Sequence, residues 1–148
     1  MIREANKFDI PRLYEMMVSY AKESPIQILQ DESKHDESHV SDLLFTLIAG
    51  RGFVLVDDEL NGMIAGIKAR NIWCPDVVEL RELAWWVEPE KRNGSLGGRL
   101  WKAFDEKAMQ MKQNGTVNYI CCTVMTTSPV ISYAKRGYKP LEATFYKD

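Results

Sequence analysis

The chain is 148 residues long, 45% hydrophobic and 27% charged, with 19 basic against 21 acidic side chains. That length is about one domain, here a single one over residues 1–148, and it buries roughly 70% of the unfolded surface. A full core is therefore available without metals or disulfides. The net charge of -2 gives no global field for nucleic acid or an anionic membrane.

No apolar run reaches the ~18 residues of a membrane span, and the stretch from Met1 to Lys7 lacks the apolar segment of a secretory signal. Cys74, Cys121 and Cys122 show no CxxC spacing. The expectation is a cytoplasmic protein with neither nucleic acid nor membrane as partner.

In chain order, Asp9 is an N-cap candidate ahead of Pro11, and Leu13, Met16, Met17 and Tyr20 recur at helical spacing up to about Lys22. Residues 23–38 are polar and read as a loop. A short helix carrying Val40, Leu43, Leu44 and Leu47 follows, before Gly50. Residues 52–56 and 63–67 flank Asn61-Gly62, a strong hairpin signal because both residues accept positive φ. Residues 77–87 form a third strand of the meander. Leu100, Trp101, Phe104, Ala108 and Met111 mark a helix closed by Asn114-Gly115. Residues 117–124 read as a central strand, a short helix runs from about Ser128 to Gly137, and Thr144-Phe145-Tyr146 suggests a last strand. The layout is α+β with a mixed sheet, not a doubly wound one.

Val87-Glu88-Pro89-Glu90-Lys91-Arg92-Asn93-Gly94-Ser95-Leu96-Gly97-Gly98-Arg99-Leu100 carries the most chemistry. A glycine-rich loop that follows a strand and opens a helix points free N–H groups and the positive helix end at one place, an anion site. Lys91, Arg92 and Arg99 add charge. Neither GxxxxGK[ST] nor GxGxxG is present.

This stretch resembles the acetyl-CoA loop of the GNAT superfamily of N-acetyltransferases, R/Q-x-x-G-x-G/A after a strand ending in V-x-P. Here it reads Val87-x-Pro89, then Arg92-x-x-Ser95-x-Gly97. The family's Y-x-x-x-G-F/Y is matched by Tyr133-Ala134-Lys135-Arg136-Gly137-Tyr138, and Ile2-Arg3-Glu4-Ala5 with Asp9-Ile10 is similar to its first strand and helix start. The matches span Ile2 to Tyr138. Two positions depart: Ser95 replaces the first glycine, where its Cβ would crowd a pyrophosphate or its hydroxyl donate to one, and Thr126 stands where many members carry Asn.

The resemblance implies a mostly antiparallel mixed sheet of about six or seven strands flanked by about four helices. It also implies direct transfer of acetyl from acetyl-CoA, the cosubstrate, to a primary amine, with no metal. Val87 would offer its backbone to the pantetheine arm; the loop that starts at Arg92 would hold the pyrophosphate on the amides of Asn93, Gly94, Ser95, Leu96, Gly97 and Gly98. A homodimer is compatible with the family.

Two protons must be handled. Freeing the lone pair of an amine with pKa ~10.4 at pH 7 costs roughly 4.6 kcal/mol, so a carboxylate is expected as base. Glu82 is the first candidate and Glu79 the second. These face opposite ways on one strand unless a bulge intervenes. Tyr133 matches the family's acid for the departing thiolate; its ordinary pKa near 10 lies above a thiol's ~8.5.

His35 and His39, four apart, would share a helix face as metal ligands do, but no third ligand is evident. Cys121 and Cys122 read as core. Trp85 and Trp86 either shape an acceptor pocket or fill the two sheet faces, and Asp31-Glu32 and Asp36-Glu37 read as a solvated loop. The alternative from another class is a GNAT-like domain with little or no activity that binds CoA or acts through protein contacts.

Overall fold

The computed structural model describes residues 1–129 and 131–148. Five strands form one sheet in the order β1-β2-β3-β4-β5: β1 (Ile2–Glu4), β2 (Gly52–Asp57), β3 (Gly62–Arg70), β4 (Val78–Val87) and β5 (Tyr119–Cys121). The first four pair antiparallel with one another, and β5 runs parallel to β4. The helices are α1 (Ile10–Lys22), the single turn α2 (Gln27–Gln30), α3 (Glu37–Thr46) and α4 (Leu96–Gln113). The fold is thus α+β with a mixed, mostly antiparallel sheet, and among the described residues the strand count is five rather than six or seven.

Alternation along the strands builds two cores. Val54, Val56, Met63 and Ala65 pack with Leu13 and Met16 of α1 and Leu44 of α3 on one face. Phe53, Leu55 and Ile64 pack with Leu100, Trp101 and Phe104 of α4 on the other. β4 changes sides part-way. Leu80 belongs to the α4 face, yet Ala84 and Trp86 belong to the α1/α3 face. The pairing register explains the switch: Ala65 opposes Ala84 while the next residue, Gly66, opposes Glu82, so Leu83 is an extra residue in β4. A bulge of this kind bends the strand and re-aims its side chains. It lies beyond Glu79 and Glu82, which therefore keep opposite faces.

Several expectations are corrected. The hairpin turn lies at residues 58–61, inside the expected Asp57–Gly62 stretch, but its positive φ falls on Leu60 (55°) rather than on Asn61 or Gly62. The Asp57 carboxylate accepts from the N–H groups of Asn61 and Gly62 at 2.8 and 2.9 Å and so shapes the turn. Gly62 is needed for space, since a Cβ there would meet Leu100 Cδ1 at 2.9 Å. Asp9 stands at the N-cap of α1 without capping it; its carboxylate is held by Arg3 at 2.8 and 3.0 Å and by the Asn6 N–H.

The segment expected as a central strand over 117–124 forms only three residues of strand, at the sheet edge. The expected helix from Ser128 to Gly137 is a single 3-10 turn, Tyr133–Arg136; Val130, within that span, lies outside the described residues. Thr144-Phe145-Tyr146 forms no strand, and Phe145 is 90% exposed. Both segments are rich in β-formers, but strand propensity expresses itself only where a neighbour and a core face receive it.

Candidate active site

The parallel pairing of β4 with β5 runs from Glu79–Tyr119 to Arg81–Cys121 and stops. Beyond it the two chains part, and a cleft of about 150 Å³ opens between them. Glu82 sits where the strands separate, and its Oε2 accepts a hydrogen bond from the Thr123 N–H at 3.3 Å. Glu82 is 7% exposed. Burial pushes its carboxyl up to about 7, against the smaller opposing pull of the Thr123 N–H and Arg81.

Tyr133 enters the same cleft from the 3-10 turn, together with Tyr20 and Glu23 at the end of α1 and Trp85, Trp86 and Val87 of β4. Its phenol is pushed up to about 12, first by burial and then by Cys122 and Glu82. It therefore stays protonated through neutral pH. Trp85 stacks on Trp101 on the α4 side, and Trp86 belongs to the α1/α3 core, so one tryptophan fills each face while both line the cleft. The indole N–H groups of both are buried without an acceptor among the described residues.

After β4 the chain makes a 3-10 turn at Pro89–Lys91 and starts α4 at Leu96. Ser95 is the N-cap residue but does not cap: its Oγ accepts instead from Arg99 Nε at 3.3 Å. The first helical amides, of Leu96, Gly97 and Gly98, therefore have no capping side chain. Neither Lys91 nor Arg99 has a carboxylate partner among the described residues, and both line a second cavity of about 320 Å³ with Gly94, Ser95 and Leu96. The cavity is also lined by Asp57, Asp58, Glu59 and the amino terminus, and Glu59 accepts from Asn61 Nδ2 at 3.2 Å. Asp57 caps the hairpin turn, and Asp58 pairs with the amino terminus at 3.2 Å.

The glycines of this loop are not required by the fold. None has positive φ, a Cβ at Gly97 would make ordinary contacts with Trp85 and Val87 at 3.8 and 3.9 Å, and one at Gly98 would meet nothing within 4 Å. Their bareness leaves the helix end open to a bound group. An anionic phosphate fits this donor set.

The structure thus brings Glu82, Tyr133, Val87, Arg92 and Gly97 around one cleft, with Gly94, Ser95 and Leu96 around the adjoining cavity. Asn93 and Gly98 are exposed and line neither. Arg92 does not face the helix end. Its Nε donates to the Val87 carbonyl at 2.8 Å, its Nη2 donates to Glu23 Oε1 at 2.6 Å, and its guanidinium lies 5.5 Å from the Trp86 ring centre. Glu79 is held by Arg81 on its own strand at 3.2 Å. Thr126 lies outside the cleft, although Thr123, Met125 and Thr127 line it.

His35 precedes α3, whose N-cap is Asp36, so the two histidines do not share a helix face, and His35 Nε2 lies 2.7 Å from the Leu29 carbonyl. Among the described residues no group of three or more metal-ligating side chains converges. Burial pushes the Cys122 thiol up to about 12, which removes it as a nucleophile at neutral pH.

Tyr20, Glu23 and Thr123 were not singled out by sequence as site residues. Tyr20 looked like one more member of an apolar helix stripe, and nothing in the sequence marks Thr123.

No family model matches the sequence, and no curated protein does. Solved structures do match, over nearly the whole chain. An acetyltransferase of Trypanosoma brucei superposes with a TM-score of 0.67 at 12% identity, covering 100% of this chain and 98% of its own. The fold is that of the GNAT acetyltransferases. A GNAT family acetyltransferase of Staphylococcus aureus gives 0.64 at 16% identity, covering 100% and 97%. A ribosomal-protein-alanine N-acetyltransferase of Brucella melitensis gives 0.59 at 21% identity, covering 76% and 68%.

Proposed function

We propose that the chain is a GNAT acetyltransferase that moves acetyl from acetyl-CoA to a primary amine. One observation carries this: at the end of β4 an uncapped helix start with two unpaired cations adjoins a cleft that holds a buried carboxyl and a half-buried phenol. The amides of Asn93 and of residues 95–98, with Lys91 and Arg99, hold the pyrophosphate, while the Gly94 N–H stays on the Lys91 carbonyl at 3.3 Å. Val87 faces the pantetheine arm, and Trp85 and Trp86 line the cleft beside it. Arg92 closes the rim of the cleft between Glu23 and Val87.

Acetyl-CoA supplies an acyl thioester, so no nucleophilic side chain is needed. Glu82 takes the proton from the incoming ammonium. Its elevated pKa narrows the gap to an amine at ~10.4 by roughly 2.5 units, about 3.4 kcal/mol of proton-transfer driving force relative to an ordinary glutamate. The amine nitrogen forms its bond to the acyl carbon as the C–S bond breaks, the excess proton left on that nitrogen passes to solvent, and the sulfur leaves as thiolate. Tyr133 holds that sulfur. With its phenol near 12 and a thiol at ~8.5, complete transfer is uphill, so Tyr133 acts by hydrogen bonding and solvent delivers the final proton.

Calorimetric titration with acetyl-CoA, followed by release of free CoA in the presence of spermidine, tyramine or a lysine peptide, tests the assignment. Saturable micromolar binding with acetylation of one amine supports it. Absence of binding at millimolar acetyl-CoA sinks it and leaves a domain that works through protein contacts.

A further inference from the structure

Tyr133 has to occupy one place in the cleft, yet it belongs to a segment with little regular structure. From Cys122 onward the described residues form a single 3-10 turn. What fixes that turn comes from α4. Asp105, one helical turn beyond Trp101, is 7% exposed and divides its two oxygens. Arg136 Nη1 donates to Oδ2 at 2.9 Å, and Tyr138 Oη donates to Oδ1 at 2.8 Å.

These two donors flank Gly137, whose φ of 85° reverses the chain after the turn. The Tyr138 N–H donates to the Tyr133 carbonyl at 3.2 Å and closes the loop. Above the carboxylate, Trp101 meets Tyr133 edge-on at 5.3 Å and Tyr138 at 5.7 Å. Aromatic packing alone holds a turn against a helix but leaves it free to rotate; two directional bonds to one buried carboxylate fix its orientation.

We propose that Asp105 is a positioning residue for the reaction: through Arg136 and Tyr138 it sets the direction of the Tyr133 phenol in the cleft. This rests on the assignment of Tyr133 to the leaving sulfur, and Asp105 itself touches no reactant.

The test uses protein labelled with ring-13C tyrosine, in which the Tyr133 signal is identified by its loss in Tyr133→Phe. Beside the Trp101 ring this signal is displaced from that of free tyrosine. Asp105→Asn and Tyr138→Phe should each move it back towards the free value while the affinity for acetyl-CoA stays within twofold. With an amine that supports turnover, each should lower kcat at least tenfold, and in a Tyr133→Phe background that loss should vanish. Arg136→Lys, which keeps the ion pair, should recover most of the rate that Arg136→Gln loses.

An unmoved Tyr133 signal in both variants overturns the proposal, as does a rate loss that simply multiplies with that of Tyr133→Phe. Should Asp105→Asn fail to fold, Tyr138→Phe removes only a hydroxyl and decides alone. Wild-type turnover in Tyr133→Phe itself overturns the assignment of Tyr133 and this inference together, whereas a slow Tyr133→Phe with an unmoved signal overturns the positioning role alone.

Discussion

The two walls of the cleft are built on different principles. On the β4–α4 side the proposed ligand groups are main-chain amides, presented by a strand, a tight turn and the first residues of an 18-residue helix. On the β5 side the working group is one phenol on an irregular segment, pinned by a buried carboxylate and a tryptophan from α4. Backbone donors survive most side-chain changes and fail only when something blocks them. A phenol held by tertiary contacts fails when any of its supports is removed.

The largest effect should come from blocking the first wall. Gly97→Glu places bulk and charge over the helix start, and acetyl-CoA affinity should fall at least 100-fold, about 2.7 kcal/mol. Melting should be barely altered, because a Cβ at this position makes only ordinary contacts. Gly97→Ala sharpens the point. It should raise thermal stability slightly, since alanine is favoured over glycine in a helix by ~1 kcal/mol, while weakening acetyl-CoA binding by calorimetry. A loss of stability on Gly97→Ala would mean that the fold, not a ligand, needs the glycine.

On the other wall, Tyr133→Phe should cut kcat by about 10- to 100-fold, at or below the ~100- to 1,000-fold loss of an oxyanion-hole donor, and leave the KM for acetyl-CoA alone. A raised KM with kcat unchanged would assign Tyr133 to binding instead.

Glu82 joins the walls, and its burial sets the pH response. As the proposed base, Glu82 must be ionised, so kcat/KM should rise with pH through about 7, and Glu82→Gln should remove that limb along with most of the rate. Stability runs the other way. The folded pKa is raised above that of the unfolded chain, so the fold is favoured at low pH. That advantage declines as pH rises from the unfolded value near 4.5 through the folded value near 7. At pH 8 Glu82→Gln should therefore melt higher than the wild type, by an amount on the order of 3 kcal/mol or less. A lower melting point at that pH would show the carboxylate to be structurally satisfied.

The difference between the walls also decides what the sequence could reveal. The strand, turn and helix start from Val87 to Leu100 were legible because that layout needs only local ingredients: a strand, glycines, and an amphipathic helix after them. The same holds for α1, for α4 and for the β2–β3–β4 meander, where periodicity reports burial directly. The hairpin was placed correctly but for the wrong reason. Asn61-Gly62 signals positive φ, whereas Asp57 bends the turn through its side chain and Gly62 is small because Leu100 leans on it. Residues 117–146 misled because β-branched and aromatic residues advertise a strand whether or not a partner strand is present. Asp105 looked like any helical aspartate, since its donors come from 31 and 33 residues away. The direction of Arg92 was hidden likewise, its partner Glu23 lying 69 residues earlier.

That last pair supplies the smallest predicted effect. Arg92 and Glu23 are both well exposed to solvent, so their bond contributes no more than ~1 kcal/mol. While it lasts it draws Arg92 away from the helix start and keeps it on the Val87 carbonyl. Glu23→Gln removes that hold and leaves the guanidinium free to follow a phosphate. Acetyl-CoA should then bind up to about fivefold tighter at low salt, with the gain shrinking as ionic strength rises. Arg92→Ala cannot show that gain, because it deletes the charge that would move. If Glu23→Gln weakens binding instead, the Glu23–Arg92 bridge forms part of the cofactor wall, and the rim of the cleft is already set for its ligand.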